Sequence, residues 1–423
     1  MARRSTVRAM IHRPPAAETW ELLDRATRDH PAPVAAVRWS AVEHNLDTLV
    51  AAAGPVRVRL ASKSVRCRPV LERALAHPGV QGVLAFTLPE ALWLARQGTT
   101  DDLLVAYPTV DAAGLDALVA DEGLAQAITL TVDDPAHLAA VRAARERTGG
   151  RAVVRVVLEA DVSLCRGPLS IGPQRSPLHD PHAVRRAAER VVAEPGIELV
   201  GLLTYEGHVA GVQDLPVPGD AGDRAYRWAV RRMQELARRG LPAHRAAVVG
   251  AVADVLGHAP ELVNGGGTGS VAWSAADPSL TEVTVGSGLF VGHLFDRYRA
   301  IALEPALAIG LDVVRTPAAD VVTVLGSGWV ATGEQRPDRL PLPVHPPGLS
   351  LTTTEAAGEV QTPLTGVRAA RRAGHELPVG SRVWMRHAKS GEPAERVNEF
   401  VLVHDDGRTE RVPTYRGEGR AFL

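Results

Sequence analysis

Eight apolar or alternating runs, near 56–62, 81–86, 102–106, 128–132, 152–158, 197–204, 261–265 and 281–285, are separated by stretches of helical periodicity. Strands alternating with helices over roughly 250 residues form the pattern of a (β/α)8 barrel, in which each crossover helix covers the parallel strands it joins. The expected fold class is α/β, with a TIM-like barrel over 34–299. An N-terminal extension, 1–33, is expected to pack on the rest, and Val34 to Trp39 reads as one further strand. Ser40 with Glu43, and Thr87 with Glu90, have the spacing of a capping box. The stretch 224–238 puts Ala225, Ala229, Val230, Met233, Leu236 and Ala237 on one stripe, with a stop expected at Gly240. From about Ala300 the texture changes to short β-rich runs between Pro/Gly stretches, which predicts a smaller C-terminal β domain over 300–423.

Composition removes several function classes. The net charge is −1 and aromatic residues make up 4% of the 423, so neither a basic footprint nor a base-stacking platform for nucleic acid is present. Cys67 and Cys165 make no zinc spacing and no disulfide framework. No apolar run follows the basic N-terminus, and none approaches membrane-spanning length. The expectation is a cytoplasmic protein with a small-molecule substrate and no nucleic-acid or membrane partner.

Two signals about two hundred residues apart carry the chemistry. Arg59-Leu-Ala-Ser-Lys63 places a lysine at the carboxyl end of the first barrel strand, the face where barrel enzymes keep their active sites. Asn264-Gly265-Gly266-Gly267-Thr268-Gly269-Ser270 follows the seventh barrel strand, and Gly286-Ser287-Gly288 follows the eighth. Glycines let a backbone approach an anion, and successive N–H groups can cradle a phosphate. A lysine that forms an imine, joined with a phosphate cradle, describes a site for pyridoxal phosphate (PLP). Tyr205 and His208, in Thr204-Tyr-Glu-Gly-His208, read equally as residues facing that cofactor and as core side chains capping the barrel. In the β domain, His387, Glu392 and Glu395 form a polar cluster that reads as metal ligands, a substrate site or a solvated hairpin.

With these residues assembled, the chain resembles the fold-type III PLP enzymes. Within them it is similar to the D-threonine aldolase/D-serine dehydratase-like group, including bacterial proteins called amino acid deaminase/aldolase, more than to alanine racemase. The likeness covers most of the chain. It is carried by Arg59 and Lys63, Phe86-Thr-Leu-Pro-Glu-Ala91, Glu159-Ala-Asp161, Tyr205-Glu-Gly-His208, Gly265-Gly-Gly-Thr-Gly269 and Glu282-Val-Thr-Val-Gly-Ser-Gly288.

The resemblance implies a lyase acting on D-β-hydroxy amino acids through a Schiff base on Lys63. Tyr205, Gly266, Gly267 and Thr268 would lie around the cofactor, with His208 and His387 handling the β-hydroxyl proton. It also implies an active site between barrel and β domain, and a homodimer. Two departures stand out. Where alanine racemases carry a second catalytic tyrosine the chain reads Gly326-Ser-Gly-Trp-Val330, which disfavours a racemase, since racemisation needs a proton donor on each face. Where the aldolases and dehydratases bind a divalent metal (Mn, Mg or Zn) through His-x-Asp or His-x-Cys, it reads His387-Ala-Lys389. Three outcomes stay open: no metal, a ligand supplied by Glu392 or Glu395, or Lys389 acting as the cation. The alternatives to the lyase are a racemase of the alanine racemase type, a non-catalytic PLP-binding homeostasis protein, and a barrel that binds another phosphate.

Overall fold

The computed structural model describes residues 17–166, 169–217, 220–333 and 335–423. They divide into two compact units, one comprising Leu49–Lys63, Val70–Gly286 and Phe422–Leu423, the other the chain up to Thr48 with Ser64–Pro69 and Ser287–Ala421.

The strands in chain order begin with β1 (Val34–Arg38), β2 (Arg57–Ala61), β3 (Val80–Ala85), β4 (Leu103–Val105), β5 (Ile128–Val132) and β6 (Val154–Glu159). A small hairpin, β7 (Leu164–Arg166) and β8 (Leu169–Ile171), comes next, then β9 (Ile197–Leu203), β10 (Leu262–Gly265) and β11 (Glu282–Val285). In the first unit β10-β11-β2-β3-β4-β5-β6-β9 close into a barrel, and every pair around the ring is parallel. These are the eight runs expected from the sequence. They read clearly because strands buried on both faces are near-continuous apolar runs: β4 and β5 are buried at every position.

The second unit is built on a nine-stranded mixed sheet. It contains β1 with β12 (Leu307–Ala318), β13 (Val321–Leu325), β14 (Leu342–His345), β15 (Ser350–Leu351), β16 (Gln361–Thr365), β17 (Arg382–Arg386), β18 (Glu399–Val403) and β19 (Thr409–Pro413). Here the expected boundary at residue 34 shifts. β1 pairs antiparallel with β12 and parallel with β18, so it belongs to this sheet rather than to the barrel. Its apolar Val-Ala-Ala-Val run identifies a strand but carries no information about which edge will accept it. Of the extension 1–33, residues 1–16 lie outside the described residues. The helix Ala17–Ala26 packs Trp20 and Leu23 against Val34, Ala36, Trp384 and Val401. The buried indole of Trp384 donates to Asp24 Oδ1 at 2.6 Å.

Two local expectations change. Thr87 does cap the helix Leu88–Arg96, accepting from the Glu90 N–H, and buried Glu90 reaches back to the N–H of Phe86 at 2.7 Å. Ser40, by contrast, lies inside the helix Trp39–Ala53 and donates to Asp405, while Glu43 accepts from the Trp39 indole. The helix expected to stop at Gly240 instead runs from Ala221 to Leu256, through Pro242. Its buried face is Arg227, Val230, Gln234, Ala237, Leu241, Arg245, Val248 and Val252, spaced by three or four residues on both sides of the proline. Three of these are polar. Each makes a tertiary hydrogen bond, to Gln213 O (2.9 Å), Val212 O (3.2 Å) and Glu206 (3.0 Å), and these bonds hold the helix where propensity alone would end it. Leu236, placed on the apolar stripe by sequence, is 41% exposed. Among the described residues no helix is long and apolar enough to cross a membrane.

Candidate active site

Lys63 sits in the 3-10 turn Ser62–Ser64, directly after β2 and so at the carboxyl end of the barrel. Its Nζ donates to the hydroxyl of Tyr107 at 2.7 Å. Tyr107 lies just past β4, in the same position relative to its own strand. Burial alone would raise the Tyr107 phenol, but the Lys63 ammonium and the Arg175 guanidinium outweigh it and hold it below a tyrosine's ordinary value. Arg175 lies over both Tyr107 and Tyr205, with its guanidinium carbon 5.6 Å and 5.5 Å from the two ring centres. Tyr205 follows β9; burial, with the Glu206 charge adding to it, pushes its phenol up to about 12, so it stays protonated.

The glycine cradle joins this group. A Cβ on Gly267 would stand 3.1 Å from Ala210 Cβ, a contact that Ala210 would have to relieve, and at an ordinary 3.6 Å from Tyr205 Cε2, so the backbone of Gly267 runs beside the Tyr205 ring. Gly266 has φ +79°, a left-handed conformation that glycine adopts freely. Its N–H is already committed, donating to Glu206 Oε2 at 3.0 Å, and the Ser270 N–H donates to Gly267 O at 2.9 Å. Two of the cradle's N–H groups, those of Gly266 and Ser270, are thus turned to acceptors within the protein. His208, in the short helix Gly207–Ala210, is 5% exposed, and neither ring nitrogen has a partner among the described residues. Burial pushes its imidazole down despite the nearby Glu206 and Asp161 carboxylates, so it is neutral. A buried ring with two unsatisfied nitrogens calls for a polar neighbour. A lysine at the carboxyl end of the barrel, a glycine cradle, flanking aromatic rings and an orphaned imidazole together fit PLP.

Arg59 and Asn264, expected beside the cofactor, are placed otherwise. Arg59 is 2% exposed and forms bidentate pairs with Glu282 (2.6 and 2.8 Å) and Asp102 (2.8 and 3.1 Å). Asn264 donates to the same Glu282 at 2.6 Å and to Thr284 at 2.7 Å. Glu282 opens β11 and Asp102 precedes β4, so this network closes the amino end of the barrel, away from Lys63. Gly286 ends the barrel unit. Ser287 lies in the second unit, where its hydroxyl meets that of Ser64 at 3.1 Å and Gly288 follows it.

The metal candidates of the second unit are not brought together. His387 is 2% exposed, held down at about 3 by burial and by the charges of Arg386 and His293, and its Nε2 faces Ser390 Oγ at 3.2 Å. Glu392 accepts from the Thr332 N–H and hydroxyl and pairs with Lys389 at 3.0 Å. Glu395 pairs with Arg66 at 2.6 Å. Among the described residues no three His, Cys, Asp or Glu side chains are grouped to hold an ion. The residues present do not fit a divalent metal.

Sequence reasoning missed Tyr107, Arg175 and a buried network beneath the cradle. Arg245 and Glu206 are both fully buried and paired at 3.0 Å, and Arg245 also binds Asp277 and the Thr204 hydroxyl. The available signal for Tyr107 was its place after a barrel strand. For Arg245 the only signal was an arginine on a helix stripe, which is normally read as exposed. Glu159, at the end of β6, is pushed up to about 7 by burial, with Arg175 opposing and Asp133 and Asp161 adding to the shift.

Two outcomes follow from these charges. Arg245→Leu strands two buried carboxylates and lowers stability by about 3–5 kcal/mol in denaturant unfolding; an unchanged midpoint contradicts the network's role. Glu159 binds its proton more tightly when folded, so its contribution is full below the ordinary value of 4.5 and is lost as pH rises toward about 7. Glu159→Gln removes that component, flattening stability against pH across the window, and an unaltered slope contradicts the shift.

The sequence model described as alanine racemase, N-terminal domain, matches residues 37–293. D-threonine aldolase of Arthrobacter sp is 27% identical over 280 residues, 66% of this chain and 65% of that protein. 3-hydroxy-D-aspartate aldolase of Paracoccus denitrificans is 26% identical over 219 residues, 52% of this chain and 49% of that protein. The chain thus spans between half and two thirds of the length of these curated relatives. Among solved structures, D-threonine aldolase from Filomicrobium marinum superposes with a TM-score of 0.72 at 23% identity, covering 92% of this chain and 96% of that one. D-threo-3-hydroxyaspartate dehydratase from Delftia sp. HT23 gives 0.67 at 20%, covering 91% and 97%. At these identities the two structures establish the shared fold. The family match over the whole barrel segment, from the strand before Lys63 past the glycine cradle, identifies the chain as a member of the alanine racemase N-terminal domain family.

Proposed function

We propose that the chain is a PLP-dependent lyase acting on D-β-hydroxy amino acids. The observation that carries the reading is the unbroken run of contacts from Lys63 to Tyr107, Arg175, Tyr205 and Gly267, which joins an imine-forming amine to a phosphate cradle. The names of the relatives, aldolases and a dehydratase of D-threonine and D-3-hydroxyaspartate, support the substrate class.

Held at Lys63, PLP, the cofactor of this family, would supply an electron sink for the pair released at Cα. The chain's own groups do the rest. Gly267 and Thr268 offer N–H and hydroxyl donors to the phosphate. Gly266, tied to Glu206, fixes the turn that aims them. Tyr107 orients the Lys63 amine and, with its phenol held low, passes protons to and from it. Neutral His208 is the acceptor for the β-hydroxyl proton within the barrel unit. If that proton passes to His208, Cα–Cβ breaks and Cα takes up a proton, the products are glycine and an aldehyde. If Lys63 takes the α-proton and the β-hydroxyl leaves with a proton as water, hydrolysis by water then gives a keto acid and ammonia.

The test is product analysis of the holoenzyme with D-threonine, D-serine and D-threo-3-hydroxyaspartate and their L-enantiomers. The expected result is aldehyde with glycine, or keto acid with ammonia, from D-substrates only. Lys63→Ala should lower turnover by more than about 10³-fold with the fold intact. Inverted enantiomer as the main product, or full activity in Lys63→Ala, contradicts the proposal.

A further inference from the structure

We propose that Arg175 is the residue that receives the α-carboxylate of the amino acid substrate, a role that rests on the lyase reading above. Arg175 lies on the segment between β8 and the helix Pro181–Ala193. Its guanidinium is held against two aromatic faces, 5.6 Å from the centre of Tyr107 and 5.5 Å from that of Tyr205. The structure gives this exposed side chain no hydrogen bond and no ion pair with a described residue, so none of its five donors is taken up among the described residues. The other arginines treated above are consumed: Arg59 by Glu282 and Asp102, and Arg245 by Glu206 and Asp277.

Position and chemistry agree. The Lys63 Nζ bonds the Tyr107 hydroxyl at 2.7 Å and lies 5.4 Å from the centre of the same ring that carries Arg175. One tyrosine thus presents the amine at its edge and the guanidinium over its face. An amino acid whose nitrogen takes the place of the lysine amine carries its carboxylate on the adjoining carbon, within the span of that ring. Besides the Lys63 ammonium and Arg175 itself, the charges that act on Tyr107 and Glu159 are those of Glu159, Asp133 and Asp161, acidic groups that repel a carboxylate. Arg175 is the complementary partner. Its planar fork matches a carboxylate with two parallel hydrogen bonds. The site therefore selects amino acids over the corresponding amines, and does so through a residue away from the glycine cradle.

The experiment titrates PLP-loaded protein with D-serine and with ethanolamine, the same amino alcohol without the carboxylate, and follows the visible cofactor band. In the wild type D-serine binds more tightly than ethanolamine. Arg175→Leu weakens D-serine by at least about tenfold and leaves ethanolamine unchanged, and Arg175→Lys, which keeps the charge but loses the fork, recovers part of the difference. In turnover the loss appears in KM more than in kcat. Equal weakening of both compounds, or unchanged D-serine binding in Arg175→Leu, overturns the role of Arg175 while the lyase reading stands. A wild type that forms no cofactor band overturns the lyase reading and this proposal with it.

Discussion

Glu206 is fully buried, yet its carboxylate accepts from the Gly266 N–H, the Ser274 hydroxyl and the Arg245 guanidinium. Those donors come from the turn after β10, the helix that follows it, and the long helix Ala221–Leu256. A buried charge is tolerable only when fully paired, and here the pairing sets the geometry of the barrel mouth. It fixes the left-handed Gly266, and through it the neighbouring Gly267 that lies against the Tyr205 ring. Arg245 is itself buried and shared with Asp277 and Thr204, so one network links the turns after β9 and β10 to a helix that would otherwise break at Pro242.

The two ends of the barrel divide the labour of its buried charges. At the amino end Arg59, Glu282, Asp102 and Asn264 pair with one another in one network. At the carboxyl end satisfaction is incomplete: among the described residues neither nitrogen of the buried His208 ring has a partner. A buried polar group left unsatisfied marks where a ligand completes the structure.

The barrel was legible because its strands are apolar or alternating runs at regular spacing between helical stretches, and Lys63 and the glycines were legible because their chemistry is local. What stayed hidden depends on distant partners. Arg59 lies four residues before Lys63, and that closeness in sequence suggested a shared site. The strand carries Arg59 into the barrel toward the amino end, while Lys63 lies beyond the strand in a separate turn. The sequence stripe of Ala225, Ala229, Val230, Met233, Leu236 and Ala237 left out Arg227, Gln234 and Arg245, since nothing local announces the carbonyls and the carboxylate that pair with them. In the second unit, the lysine at position 389 does answer one question raised by the sequence. It pairs with Glu392 and the Thr332 hydroxyl, so a positive charge and its counter-ion stand where the sequence had suggested ligands.

The central claim is that Lys63 holds PLP at the carboxyl end of the barrel, and the direct measurement is borohydride reduction of the purified holoprotein followed by peptide mapping. The account predicts loss of the visible band and a pyridoxyl group fixed on the peptide that contains Lys63. A reduced protein supplied with PLP but carrying no adduct at Lys63 would contradict it, and the glycine turn would then be a site for another phosphate or a plain structural turn.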